Sequence, residues 1–152
     1  MTDYRGDLEG QGLRIAVVSA EFAEKDGGAL AELRSSAKAK LTELGAEFDI
    51  FYVPGVFEIP TACQRIIKTE KYDAIVTLGV VVKGETAHFE FVSQAATDGV
   101  AQLGRSSGVP ILFGVLTCHT TEQAAARGHL GADYAAAAVQ MASLTKQIDA
   151  LK

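Results

Sequence analysis

GVVVKGETAHF, residues Gly79–Phe89, is the stretch from which the fold can be read. An apolar run from Ala74 to Val82 stops at Lys83-Gly84-Glu85-Thr86, and a segment with helical spacing opens at His88. A strand feeding a helix through a short glycine-containing turn leaves backbone N–H groups unpaired above the strand's end. The helix dipole favours an anion there. One residue into the helix stands a histidine, whose ordinary pKa lies nearest neutrality among the side chains. An anion cradle beside a titratable proton carrier points to chemistry on a phosphorylated substrate.

Working outward, the same grammar repeats. Leu13–Ala20 (LRIAVVSA) is nearly continuously apolar, as a strand covered on both faces reads. Asp26 is placed to cap a helix before Gly27-Gly28, and Leu30, Leu33, Ala37, Leu41 and Leu44 form its buried stripe, with Gly45 as a left-handed stop. Glu47–Val53 is a second strand, broken by Pro54-Gly55, and Pro60 suits the first turn of the next helix, which carries Ala62, Ile66 and Ile67 inward. Strand three is Asp73–Val82. The helix after it turns Val92, Ala95, Ala96, Val100 and Leu103 to one face, and Gly104–Gly108 is expected as a loop. Pro110 starts strand four (ILFGVLT), Thr120-x-x-Gln123 forms a capping box for a short helix, and Gly128–Gly131 interrupts. The last helix is expected to bury Ala137, Met141, Leu144, Ile148 and Leu151.

Strands alternating with helices predict a three-layer α/β/α sandwich around a four-stranded parallel, flavodoxin-like sheet. Residues 13–152 make one domain and residues 1–12 a polar arm, able in an oligomer to add a strand to a neighbour's sheet. Ligands of such folds sit beyond the carboxyl ends of the strands.

Composition narrows the function classes. The 152 residues carry a net charge of −5 with no basic block, against a nucleic-acid partner. No apolar run approaches the ~20 residues that span a bilayer, and the N-terminal MTDYRGDLEGQG is unlike a signal peptide. Cys63 and Cys118 are too few and too separated for a disulfide framework or zinc site. A soluble, cytoplasmic protein is expected.

VPGVFEIP (Val53–Pro60), YDAIVTLGVVVKGETAHFEFV (Tyr72–Val92), GVPILFGVLT (Gly108–Thr117) and EQAAAR (Glu122–Arg127) resemble the 6,7-dimethyl-8-ribityllumazine synthases. The resemblance runs from about Leu13 to the C-terminus. It implies condensation of 5-amino-6-(D-ribitylamino)uracil with 3,4-dihydroxy-2-butanone 4-phosphate, the penultimate step of riboflavin biosynthesis, without metal or organic cofactor. It also implies residue roles. His88 would be the acid/base group beside the departing phosphate; Glu85, Thr86 and Arg127 would bind that phosphate. Phe22 and Phe113 would enclose the pyrimidine, Phe113 coming from a neighbouring subunit. Val56, Phe57 and Glu58 would hold the ribityl chain, and the backbone of Val80, Val81 and Val82 would meet the uracil edge. A pentamer is implied, in some members the unit of a shell of twelve pentamers.

The residues alone admit plainer readings: His88 as a surface histidine, Glu85-Thr86 as a helix cap, Phe22 and Phe113 as core. Three departures from the family pattern stand out. Glu21-Phe22-Ala23 replaces the usual Arg-Phe-Asn, the segment after Arg127 is short, and Leu130 stands where a phosphate-assisting lysine or histidine is usual, leaving His129 or Lys83 as substitutes. A catalytically idle pentameric scaffold or flavin/lumazine-binding relative is the alternative those departures raise.

Overall fold

The computed structural model describes residues 1–152. Four strands, β1 (Arg14–Ala20), β2 (Glu47–Val53), β3 (Ala74–Val82) and β4 (Ile111–Cys118), pair in parallel in the order β2-β1-β3-β4. Val17 sits opposite Ile50 on one side and Val76 on the other, and Val76 in turn faces Leu112. The helices are α1 (Ala29–Leu44), α2 (Ile59–Ile67), α3 (His88–Ser107), α4 (Thr121–Ala125) and α5 (Gly131–Asp149), with single 3₁₀ turns at Val56–Glu58 and Gly128–Leu130.

The unbroken apolar strands follow from having two cores. Ile15, Val17, Val76 and Leu78 pack against α1 and α5, among Leu33, Leu41 and Val139. The alternating residues Ala16, Val18 and Ile75 pack against α2 and α3, among Ile59, Ala96 and Val100. With side chains alternating across a strand and both faces covered, every position must be apolar. Truncating any one of the fully buried Leu33, Leu41 or Ile59 costs about 2–5 kcal/mol, a large share of the ~5–15 kcal/mol by which domains are stable. The two buried strand hydroxyls are satisfied: Ser19 Oγ on β1 donates to the Ala20 carbonyl at 2.8 Å, and Thr77 Oγ1 donates to the Leu112 carbonyl at 2.9 Å and accepts from the Gly114 amide at 3.3 Å, tying β3 to β4.

Local signals behave as their chemistry requires, with four corrections. The first and third strands begin one residue later than expected, at Arg14 and Ala74, and the fourth begins at Ile111. Gly104–Gly108 is not a loop: α3 runs on to Ser107 and stops at Gly108, which adopts φ 74°. Ser107 Oγ donates to the Leu103 carbonyl at 2.6 Å, so the serines serve the helix end rather than breaking it. The seam of α5 is also not the expected one. Ala135, Ala138, Val139 and Ala142 are buried, while Met141 and Ile148 are exposed. Small residues let α5 approach α1 closely; a Cβ on Gly131 would collide with the Leu33 carbonyl. Finally, Thr120 Oγ1 accepts from the Gln123 amide at 3.1 Å, but the Gln123 side chain reaches back one residue further than a capping box, accepting from the His119 amide at 2.8 Å.

The arm folds onto its own chain. Gln147 Nε2 donates to the Arg5 carbonyl, the Asp7 amide donates to Ser143 Oγ, and the Gly10 amide donates to the Leu44 carbonyl.

Candidate active site

The carboxyl ends of β1 and β3 open into a cleft of about 760 Å³, larger than two further concavities of about 520 and 470 Å³. Its floor is the end of β3, Val80, Val81 and Val82, with Val92 from the second turn of α3. One wall is the loop after β1, residues Phe22, Ala23 and Glu24. Gly55 with the 3₁₀ turn Val56-Phe57-Glu58 lines the cleft beside that loop, and so does His88 at the start of α3.

Each wall has a structural cause. Beyond β1 the backbone keeps pairing: the Glu21 amide donates to the Val53 carbonyl at 2.7 Å and the Phe22 amide to the Pro54 carbonyl at 3.2 Å. Arg34 of α1 fixes the same strand end, its Nη1 donating to the Ala20 carbonyl at 3.1 Å. Asp26 then accepts from the Gly28 and Leu30 amides and starts α1 from outside, two residues before the left-handed Gly28 that flanks it. Phe22 and Phe57 are 63% and 59% exposed, so neither is a core phenylalanine. Exposure of two aromatic rings at one cleft is apolar surface awaiting a ligand. Val56, by contrast, is buried beneath the turn and packs against Gly79, where a Cβ would meet its methyl at 2.6 Å.

Lys83–Ala87 form the turn that lifts the chain into α3. Thr86 Oγ1 accepts from the His88 amide at 3.3 Å, as a helix cap would. No carbonyl or side chain in the protein accepts from the amides of Glu85, Thr86, Phe89 or Glu90. These free donors sit at the positive end of a 20-residue helix, beside the cleft rather than inside it. The imidazole of His88 is exposed and makes no hydrogen bond within the chain.

Eight of the expected residues therefore meet around one cleft, Glu85 and Thr86 flank it, and two stand apart. Arg127 follows α4, exposed, with Nη1 donating to the Gln123 carbonyl at 2.7 Å. Phe113 lines a separate groove with Val100, Gly104 and Met141. Val100 and Gly104 lie about 18 and 24 Å along α3 from His88 at 1.5 Å per residue. Leu130, which stands in place of a phosphate-site cation, packs on the α1–α5 core; of the two substitutes, His129 is exposed and Lys83 Nζ lies 4.0 Å from Glu90.

Both cysteines are buried and free. Burial pushes the Cys63 thiol up to about 12, and it raises Cys118 despite the nearby Arg127. A thiol held protonated is no nucleophile. Sequence reasoning did not place Ala23, Glu24, Gly55 or Val92 among the site residues, yet they also line the cleft; for Glu24 the available signal was its place two residues after Phe22.

Taken together, fold and cleft define a flavodoxin-like α/β protein with a largely apolar cleft beyond its strand ends, lined in part by a histidine at the start of a helix. Comparison with known proteins narrows that class. Residues 12–146 match the family model described as 6,7-dimethyl-8-ribityllumazine synthase. A 6,7-dimethyl-8-ribityllumazine synthase of Cupriavidus necator is 44% identical over 153 aligned positions, covering 98% of this chain and 90% of that protein. The chain belongs to the 6,7-dimethyl-8-ribityllumazine synthase family.

Proposed function

We infer that this protein is a transferase that condenses 5-amino-6-(D-ribitylamino)uracil with 3,4-dihydroxy-2-butanone 4-phosphate, giving 6,7-dimethyl-8-ribityllumazine, phosphate and water. The observation that carries it is the convergence of Phe22, Val56, Phe57, Glu58, Val80, Val81, Val82 and His88 on one cleft in a chain of this family. The exposed rings of Phe22 and Phe57 suit a flat heterocycle. In this reading the backbone of Val80 to Val82 meets the uracil edge and the carboxylate of Glu58 accepts from hydroxyls of the ribityl chain, supported by their common place in the cleft lining.

The reaction joins an amine to a ketone with loss of water, expels phosphate, and closes a ring with loss of a second water. Each stage moves protons between groups of the substrates, so holding two molecules in register and relaying protons is most of the task. His88 is the relay, one helical position beyond the turn whose free amides and Thr86 hydroxyl receive the phosphate. No protein nucleophile is required, in keeping with the protonated thiols. Purified protein given both substrates should yield fluorescent lumazine; binding of both without product would overturn the catalytic reading.

Arg127 supplies the guanidinium fork for the same phosphate. Replacing it by alanine is expected to raise KM for the butanone phosphate roughly tenfold or more, at the scale of a charge-assisted hydrogen bond, and to leave KM for the pyrimidine nearly unchanged. Steady-state kinetics with each substrate varied in turn would read this, and equal effects on both would remove Arg127 from the phosphate site.

The active form is a homo-oligomer. The His88 cleft and the Phe113 groove are different surfaces of one chain, and joining unlike surfaces head to tail closes a ring when the rotation permits. We take that ring to be a pentamer, with Phe113 completing the neighbour's pyrimidine slot. Free, buried cysteines suit a reducing compartment, the cytoplasm.

A further inference from the structure

We propose that Glu24 is a second carboxylate for the polyhydroxy chain of the pyrimidine substrate, a specificity-determining partner to Glu58; the proposal rests on the lumazine synthase reading above. Three observations lead to it. Glu24 lines the same cleft as Glu58 and His88, and its carboxylate has no hydrogen bond or ion pair in the protein. Its loop is held on both sides, by the Glu21 and Phe22 amides pairing with the chain after β2 and by Asp26 fixing the start of α1. Between those two anchors Lys25 takes a left-handed φ of 53°, a conformation uncommon outside glycine, immediately after Glu24.

The chemistry of the cleft assigns the ligand. Glu24 and Glu58 both line the cleft, from the loop after β1 and the turn after β2, whereas the free amides of the Glu85–Glu90 turn stand at the start of α3 beside His88. An anion is attracted to that helix start and repelled by the two carboxylates. What a carboxylate pair receives well is a row of hydroxyl donors, since each ionised group is an acceptor with several lone pairs and no donor. Ala23, between Phe22 and Glu24, has no polar atom in its side chain to share this task. The two carboxylates together then read the polyol, in a cleft otherwise lined by valines and phenylalanines.

The test compares ligands with and without that polyol. Affinities of 6,7-dimethyl-8-ribityllumazine and 6,7,8-trimethyllumazine would be measured by fluorescence titration on the assembled wild-type protein and on Glu24→Ala and Glu24→Gln. Glu24 is exposed and the variants keep the loop's anchors, so native mass and thermal melting should match wild type. The ribityl ligand is expected to bind Glu24→Ala about tenfold more weakly, the size of one lost charge-assisted hydrogen bond, with Glu24→Gln intermediate and the trimethyl ligand unchanged. Equal losses for both ligands, or no loss for the ribityl one, would overturn the proposal. Because the readout is binding, a wild type that binds the ribityl ligand in a Glu24-dependent way yet makes no product would sink the catalytic reading alone. Failure to bind either ligand would sink both.

Discussion

His88→Ala is expected to lower kcat by roughly 10²-fold, the lower end of the 10²–10⁴ range that positioned acid–base groups contribute. The lower end follows from the rest of the cleft. Aligning two reactants is worth a large effective concentration by itself, and the alanine variant retains the valine floor, Phe22, Phe57 and the Thr86 turn that do the aligning. The imidazole is exposed and bonded to nothing in the chain, so its removal should leave stability within about 0.5 kcal/mol. Native mass should likewise be unaltered. Single-turnover formation of lumazine on wild type and variant, with melting curves alongside, checks both halves. A variant that loses its assembly, or one that turns over like wild type, would assign His88 to structure instead.

The fold was open to reading because its signals are local and redundant. Four apolar runs with β-branched residues alternate with helical stripes, and glycines at 45 and 108 end helices in left-handed conformations that no other residue takes so cheaply. Misreadings came where a local signal had two meanings. Gly104-Arg105-Ser106-Ser107 looks like a loop by composition, yet its serines bond backward to Leu103 and extend α3 to Ser107. In α5 the largest apolar residues were expected inward, but distance of approach to α1 decided, and the alanines won.

The site was legible to a different degree. GET-x-H reads as an anion turn from helix physics alone, and the free amides beside it fit that reading. Phe22 and Phe57 needed the family pattern, since an isolated phenylalanine reads as core, and only their exposure separates them from it. Glu24 was missed because nothing in EFAEK distinguishes the glutamate that lines a cleft from the one beside it that does not. That choice is made by hydrogen bonds from Glu21 and Phe22 to carbonyls 32 residues further along the chain, where no sequence periodicity reports it.

Phe113 supplies the sharpest expectation about assembly. On β4 it faces a groove with Val100, Gly104 and Met141, while His88 stands at the opposite end of α3. If each site joins His88 of one protomer to Phe113 of the next, His88→Ala and Phe113→Ala should each be impaired alone, yet regain activity when co-assembled. In a random ring of equal parts, a site is intact when its His88 comes from a Phe113→Ala chain and its Phe113 from a His88→Ala chain. That holds for about a quarter of the sites in a head-to-tail ring. Because His88→Ala alone retains roughly 1% activity, recovery of about a quarter of the sites would lift the mixture well above the mean of the two parents. The measurement is lumazine formation after denaturing and refolding the two variants together, with the separately refolded proteins as controls. Activity equal to the mean of the two parents would place Phe113 in its own chain's core, and the packing of its ring among the residues between the sheet, α2 and α3 would then be its whole role.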